Sequence, residues 1–307
     1  MFAWFVLVLL GAIWGASYLF IKVGGAEIPP FTFVEVRTLV AALALVVVVG
    51  VMKEPIPRGR RQWLPLIGMG LFNGVFPYTL ITWGELHISS GVASILTATM
   101  ALFTVLLAHF WTRDERLTPL KVLGIVVGFL GVVVLFLPEL AYGLQIEVWG
   151  ELAVVGAGAS YAIATLLARK YLQGVSHAVA SLGQLGTAAI WMMPLSLAFD
   201  NPFSLRPSVA ALASLLILAL LGTAFAYVLY YWLIEHTGAT RTSLVTYLIP
   251  ITGVAWGAVL LHEAIEWESI LGLLLIIAGV AFVSRQGGPS DAALKAVPRR
   301  GIERETN

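Results

Sequence analysis

Ten long apolar segments occupy most of the 307-residue chain and determine the environment in which it can fold. A transmembrane helix needs about 20 mainly apolar residues, and such segments lie at residues 2–22, 31–52, 63–84, 89–110, 119–138, 149–169, 178–199, 210–232, 241–261 and 269–285. Only 11% of the residues are charged, whereas a soluble domain carries about 25%. Because so little polar surface is available, we predict an all-α integral membrane protein with ten transmembrane helices in the lipid bilayer.

The distribution of positive charge predicts how the chain is oriented, because cytoplasmic loops of membrane proteins are rich in lysine and arginine. With the N-terminus inside, Lys22 and Arg206 are the only basic residues on the outer side, and Arg37 lies within a span. The other fifteen of the 18 basic residues then fall in inner loops and in the C-terminal tail. We therefore predict a protein of the inner (plasma) membrane with both termini cytoplasmic, and a disordered cytoplasmic tail at 286–307.

An internal repeat relates the two halves of the chain. A shift of 148 residues aligns one pair of glutamates and three pairs of glycines: Glu115 with Glu263, Gly124 with Gly272, Gly131 with Gly279, and Gly74 with Gly222. The repeat covers five spans, an odd number, so the two copies must have opposite orientations in the membrane. We predict two inverted five-helix repeats, at 1–138 and 149–285, which is an arrangement typical of transporters that bind substrate between the halves.

Several classes of function are disfavoured by what the sequence lacks. The chain has no cysteine, which excludes disulfides and cysteine-based metal sites. It contains no phosphate-binding loop, no H-E-x-x-H motif and no G-x-S-x-G motif, and its five histidines lie at or near the ends of spans. We therefore predict no enzymatic activity, no catalytic residue, no cofactor and no metal site. Because the basic residues are not gathered in one domain, we expect no nucleic-acid partner.

Short motifs are spread over residues 3–285. They are Ile13-Trp14-Gly15-Ala16-Ser17 and Ile21-Lys22 in and after the first span, Pro30 and Arg37 in the second, Glu115 and Glu263 after the fourth and ninth, and Pro250 in the ninth. Together these motifs resemble the EamA type of the drug/metabolite transporter superfamily. The resemblance implies ten helices in two inverted halves and efflux of amino acids or related metabolites. Leu102 stands where the family pattern has a proline, and hence a kink, in the fourth helix.

Ionisable side chains near the outer ends of the first two spans are candidates for function, because charges inside a span are costly unless they face a cavity or a partner. Arg37 is a candidate to bind a substrate carboxylate or to act as a gate. Glu35 and Lys22 are candidates for proton coupling or for the gate. In the alternative interpretation, Glu35 or Arg37 contacts Lys22 and these charges only lock two helices together.

Aromatic and polar side chains complete the predicted substrate cavity. Tyr78, Thr82 and Glu85 share one face of the third helix, and the 148-residue shift aligns Thr82 with Tyr230. The full set of cavity candidates is Trp14, Ser17, Tyr18, Arg37, Tyr78, Thr82, Ser94, Tyr161, Gln184, Tyr227, Tyr230, Thr242 and Tyr247. The alternative for the rings is packing at the membrane interface, and for the hydroxyl groups it is hydrogen bonding to helix backbones.

These features predict a secondary transporter that exports amino acids or related small metabolites by alternating access, coupled to protons or driven by the solute gradient. Alternatives are an exporter of other small molecules, such as drugs, nucleobases or sugars, and an intramembrane enzyme or a channel. Glu115 and Glu263 are interpreted as structural, each accepting backbone N–H groups or meeting a basic neighbour. The expected partners are the small-molecule substrate, the lipid bilayer and protons, and the oligomeric state is left open.

Overall fold

The fold was obtained as a computed structural model, which describes residues 1–56, 59–111, 117–138 and 146–284. Within these residues, eight helices are long and apolar enough to cross a membrane: α1 (Phe2–Gly25), α2 (Pro30–Met52), α3 (Gln62–Gly84), α4 (Ser90–Trp111), α6 (Ile146–Tyr171), α7 (His177–Asp200), α8 (Val209–Thr237) and α10 (Trp267–Ser284). Two shorter apolar helices, α5 (Pro119–Leu135) and α9 (Val245–Leu260), coincide with the predicted fifth and ninth spans. For the part of the chain that the structure describes, the all-helical prediction is confirmed, with eight helices of spanning length. The predicted tail 286–307 and Glu115 lie outside the described residues.

Eight of the helices form a closed ring in which neighbours in space come from different halves of the chain. Around the ring the order of contacts is α1, α9, α4, α6, α3, α7, α2, α8 and back to α1. Helices α5 and α10 pack mainly on each other and touch the ring at α4 and α9. Every contact around the ring therefore joins the first half to the second, and the interior of the ring is shared between them.

Repeat-related glycines form the contact between α5 and α10. A Cβ atom placed on Gly124 would lie 2.7 Å from the carbonyl oxygen of Gly279, and one placed on Gly131 would lie 2.8 Å from that of Gly272. These distances leave no room for a side chain, so the two backbones touch directly, as they do where small residues pack membrane helices together. Because the earlier glycine of α5 meets the later glycine of α10, the two helices run antiparallel.

Helix α4 is interrupted at residues 98–99, although residue 102 is leucine and not proline. The Thr97 and Thr99 hydroxyls donate hydrogen bonds to backbone carbonyl oxygens of their own helix, at 2.9 and 2.6 Å. Such bonds compete with the backbone hydrogen bonds of the helix and bend it. The interruption therefore does not need the proline of the family pattern.

One end of the ring is closed by side chains that bind helix termini, and it is called the Lys22 end below. Lys22, near the end of α1, donates from Nζ to the carbonyl oxygens of Glu85 (2.5 Å) and Ile88 (2.8 Å), which follow α3. The Glu263 carboxylate accepts hydrogen bonds from the backbone N–H (2.8 Å) and the hydroxyl (2.9 Å) of Ser90, at the start of α4. The structural interpretation of Glu263 is thus confirmed.

Two further carboxylates bind helix N-termini at the Lys22 end. Glu27 accepts from the hydroxyl (2.7 Å) and the backbone N–H (2.6 Å) of Ser208, just before α8. These two bonds lower the pKa of the Glu27 carboxyl, since they favour its charged form. Asp200 accepts from the backbone N–H of Thr32 in the first turn of α2, at 2.6 Å. Negative groups at helix N-termini are stabilised by the unpaired N–H groups there.

Candidate functional site

Arg37 of α2 lies inside the ring, with only 6% of its surface exposed. Its Nε donates a hydrogen bond to the Thr223 hydroxyl of α8 at 3.0 Å, and its guanidinium carbon lies 3.8 Å from the centre of the Tyr78 ring of α3. Both contacts stabilise a charge that would be costly at this depth. No described residue accepts a hydrogen bond from its two terminal amino groups. The guanidinium is therefore held in place while its far end is free to bind a ligand.

Thr223 lies in a π-helical segment that has a counterpart in the other half of the chain. The segments are Gly70–Val75 in α3 and Leu218–Phe225 in α8, and the 148-residue shift places the first on the second. The Thr223 hydroxyl donates to the carbonyl oxygen of Leu218 at 2.9 Å while accepting from Arg37. Local π-helical turns are frequent at functional sites. Here they set the position of the hydroxyl that holds Arg37.

Asn73, in the π-helical segment of α3, connects to the second half of the chain through its side-chain amide. It donates to Gln184 Oε1 of α7 at 2.9 Å and to the Tyr227 hydroxyl of α8 at 3.2 Å. The Tyr227 side chain also interacts with Tyr78, which joins these amides to Arg37. The connected group, called the Arg37 cluster below, consists of Arg37, Asn73, Tyr78, Gln184, Thr223 and Tyr227.

Aromatic rings extend from the Arg37 cluster along α1 and α8, away from the Lys22 end. The Trp14 ring centre lies 6.5 Å from that of Tyr227 and 5.3 Å from that of Tyr230. Tyr231 continues the series and stacks on His177, with ring centres 4.7 Å apart and planes 2° from parallel. Trp14 therefore contacts protein and not only lipid.

Four further predicted residues lie near the cluster. Ser17, Tyr18 and Thr82 are buried, and the Thr82 hydroxyl has no hydrogen-bond partner among the described residues. Tyr161 is close enough to Tyr78, Tyr18 and Arg37 to interact with them electrostatically. The structure thus brings together most of the predicted cavity residues.

Comparison with known proteins assigns the family. The EamA-like transporter family model matches the chain over residues 1–137 and again over 148–285. The chain belongs to the EamA-like transporter family. It is 28% identical to an uncharacterized transporter of Bacillus subtilis, over 87% of this chain and 91% of that protein. It is 29% identical to a "Probable terminal-alkyne amino-acid exporter" of Streptantibioticus cattleyicolor (91% and 92% covered) and 26% identical to a "Probable amino-acid metabolite efflux pump" of Escherichia coli (89% and 91% covered).

A solved structure shares the fold of this EamA-like transporter. It superposes with a TM-score of 0.66 over 92% of this chain and 96% of the other chain, at 20% sequence identity. This likeness shows the fold alone. The family match shows that the chain is a multi-pass membrane transporter, and the resemblance identified from the sequence is confirmed.

Four of the predicted site residues lie apart from the Arg37 cluster in this EamA-like transporter. Ser94 donates to carbonyl oxygens of α4 and α9, at 2.7 and 3.4 Å, where the two helices pack. The Thr242 hydroxyl donates to a carbonyl oxygen four residues earlier, at 3.0 Å. Tyr247 donates to Ser284 at the end of α10, at 3.1 Å. Glu35 is half-buried, and none of the described hydrogen bonds joins its carboxylate to Arg37 or Lys22.

Three residues of the site were not among the candidates chosen from the sequence. Asn73 is a half-buried partner of the cluster and Thr223 a buried one, and Glu85 is a buried carboxylate at the end of α3. An amide in the middle of an apolar span is costly without a partner, which is the signal that identifies Asn73. Thr223 gives no such signal, because a threonine hydroxyl can donate a hydrogen bond to a backbone carbonyl oxygen of its own helix. Glu85 directly follows the predicted span, where a charge is ordinarily solvated.

Proposed function

We propose that this EamA-like transporter exports amino acids or closely related metabolites across the inner (plasma) membrane by alternating access. The names of the relatives from Streptantibioticus cattleyicolor and Escherichia coli refer to an amino-acid exporter and an amino-acid metabolite efflux pump, which supports this class of cargo. The excess of basic residues in the inner loops supports an orientation with both termini in the cytoplasm. The Lys22 end then faces the outside of the cell.

Contacts between the halves support two inverted repeats, at 1–138 and 149–285. The 148-residue shift relates Gly124 to Gly272 and Gly279 to Gly131. The contact of Gly124 with Gly279 and the contact of Gly131 with Gly272 are therefore equivalent under the repeat. Since α5 and α10 run antiparallel, the axis that exchanges them lies across the helices, in the plane of the membrane. Helices of the two halves also alternate around the ring. Rocking of one half against the other opens a shared interior to one side at a time.

The observation that carries the proposal is the Arg37 guanidinium, which is buried and has two amino groups without a described partner. A buried charge without a counterion is strongly destabilising. A substrate carboxylate would supply the missing charge, and the paired N–H donors of a guanidinium match the two oxygens of a carboxylate. We infer that the carboxylate of the amino acid binds the terminal amino groups of Arg37.

The rest of the cluster suits the remainder of an amino acid. The amide groups of Asn73 and Gln184 and the Tyr227 hydroxyl offer hydrogen-bonding groups beside Arg37. The rings of Trp14 and Tyr230 provide apolar surface for a side chain and faces that attract an ammonium group. The cluster therefore binds a small amphipathic solute with a carboxylate.

Counterflow in proteoliposomes tests this function. Vesicles loaded with one unlabelled amino acid take up the labelled form only if the protein exchanges it, and each amino acid is compared with its carboxamide, in which an amide replaces the carboxylate. We expect exchange of one or a few amino acids and none of the matched carboxamides. Equal exchange of acid and carboxamide would contradict the role of Arg37. Exchange of nucleobases or sugars, with no amino acid active, would replace the proposed cargo.

Variants of two arginines make the test specific. Removing one partner of a buried charge pair costs about 2–5 kcal/mol, so Arg37→Ala should raise the KM for the cargo roughly 30-fold or more. Arg206→Ala is the matched control, because Arg206 is exposed at the Lys22 end. A KM that is unchanged by Arg37→Ala would refute binding of the carboxylate at this residue.

A further inference from the structure

Glu85 is a carboxylate that the fold buries without giving it a partner. It follows α3 at the Lys22 end and is 1% exposed. Neither of its carboxylate oxygens has a hydrogen-bond partner among the described residues, and the same is true of the buried Thr82 hydroxyl. Tyr78, Thr82 and Glu85 share one face of the helix. A line of polar groups thus runs from the Arg37 cluster to the Lys22 end.

The surroundings of Glu85 favour its neutral acid form in this conformation. An ionised carboxylate that lacks donors in an apolar interior is strongly destabilised. Positive groups on α1 and α2 oppose that effect, and Glu263 reinforces it. The charged and titratable groups on the elements packed around Glu85 are Lys22 and Tyr18 on α1, Arg37 on α2, His87 after α3, Glu147 and Glu151 on α6, and Glu263 after α9.

Glu85 lies seven residues beyond Tyr78, on which the Arg37 guanidinium stacks, and seven helical residues span about 10 Å. Arg37 acts on Glu85 electrostatically, and no described hydrogen bond joins them. The Glu85 carboxyl group is therefore available to a small ligand of its own.

We propose that the Glu85 carboxyl group is the proton-binding site that couples transport to a proton gradient, an inference that rests on the proposed export function. When Glu85 is neutral, the Lys22 ammonium bonds only to carbonyl oxygens, those of Glu85 and Ile88. Transfer of the proton from Glu85 to water leaves a carboxylate that attracts the Lys22 ammonium group electrostatically. The carboxylate then competes with the two carbonyl oxygens for Lys22.

A cavity lies beside this region at the Lys22 end. It has a volume of about 290 Å³, and its lining includes His87, Glu147, Glu151, Glu263 and Glu266. Its negative groups attract protons, and Glu263 acts electrostatically on Glu85. The cavity reaches His87 and Ile88, which follow Glu85 in the chain.

Chemical labelling tests the proton site without knowledge of the cargo. Dicyclohexylcarbodiimide, an apolar reagent, adds to a protonated carboxyl group: the acid oxygen bonds to the carbodiimide carbon and the acid proton moves to a nitrogen. Mass spectrometry of the purified wild-type protein should find the adduct on Glu85, decreasing as the pH is raised. In Lys22→Gln the loss of the positive neighbour should keep Glu85 reactive to higher pH. No adduct on Glu85 at any pH, or the same pH profile in Lys22→Gln, would overturn the proposal.

Transport measurements separate the proton site from the export function. In wild-type proteoliposomes a pH gradient should drive accumulation of the cargo beyond the level reached by counterflow. Glu85→Gln should lose this gradient-driven accumulation, whereas Glu35→Gln should keep it. Accumulation retained by Glu85→Gln, or lost in Glu35→Gln alone, would refute the assignment while the export function stands. If no amino acid shows counterflow in the wild-type protein, the export function fails, and labelling of Glu85 still decides whether the proton site exists.

Discussion

Replacing Glu263 by glutamine tests whether a charged side chain after α9 holds the N-terminus of α4. The carboxylate accepts three hydrogen bonds, from the Ser90 N–H (2.8 Å), the Ser90 hydroxyl (2.9 Å) and the Gly91 N–H (3.1 Å). A glutamine side chain keeps one accepting oxygen, so at least one donor loses its partner. A lost hydrogen bond to a charged group costs about 1.5–3 kcal/mol, and the lost charge at the helix N-terminus costs about 0.3–1 kcal/mol. The expected destabilisation is therefore about 2–4 kcal/mol.

Thermal unfolding of the purified variants in one detergent measures this effect. For a chain of this size, 1 kcal/mol shifts the midpoint by about 2 °C, so Glu263→Gln should lower it by about 4–8 °C. Glu266→Gln is the matched control, since it makes the same charge change at an exposed position in the same segment. If Glu263→Gln lowers the midpoint no more than the control does, the cap does not stabilise the fold and the reasoning is refuted.

The remaining predictions concern the cargo site, a helix contact and a pH effect. Arg37→Lys keeps the charge but loses the paired N–H donors of the guanidinium and its contact with the Tyr78 ring, so the KM measured by counterflow should rise by roughly tenfold or more. Thr223→Ala removes only the hydroxyl that accepts the hydrogen bond from Arg37 Nε and should raise the KM less. Gly279→Ala places a methyl group 2.6 Å from the backbone of α5 and should lower the thermal midpoint, whereas Gly186→Ala, with nothing within 4 Å, should not. Hydrogen bonds lower the pKa of Glu27 in the folded state. Its stabilisation is therefore present above the ordinary carboxyl pKa and is lost as the pH falls through the lowered value, and Glu27→Gln should remove this part of the pH dependence of the midpoint.

The membrane helices were predictable because the length of an apolar run is a property of the sequence alone. The order of helices around the ring was not, since α1 contacts α9 and α8, more than 180 residues away. Periodicity shows which face of a helix is apolar, but in lipid an apolar face has no preference between a neighbour and the bilayer. The glycine pairs gave partial information, because Gly124 and Gly279 touch through their backbones.

The candidate site was predictable where a polar or charged side chain has a high free-energy cost in lipid. Arg37 and Gln184 were identified for that reason, and both lie in the cluster. The role of Lys22 was not predictable, because its partners are backbone carbonyl oxygens, which every residue possesses. Glu85 was placed on the face of Tyr78 and Thr82 but was not chosen as a candidate, because it follows a span, where burial depends on the helices packed against it and not on its own sequence neighbours.

The two ends of the ring differ in a way that bears on alternating access. The 148-residue shift places Lys170 at the position of Lys22. Lys22 is half-buried and binds the carbonyl oxygens of Glu85 and Ile88, whereas Lys170 is exposed and its Nζ lies 5.1 Å from the Tyr171 ring centre. If inverted repeats closed both ends alike, the two lysines would have equivalent surroundings. Their difference supports a conformation in which a lysine closes the Lys22 end alone, and an exchange of these two environments between the repeats would produce the opposite state. In the proposed alternating access, opening outward requires Lys22 to release its carbonyl partners, and the proposed loss of the Glu85 proton would promote this by giving the ammonium group a competing anionic partner.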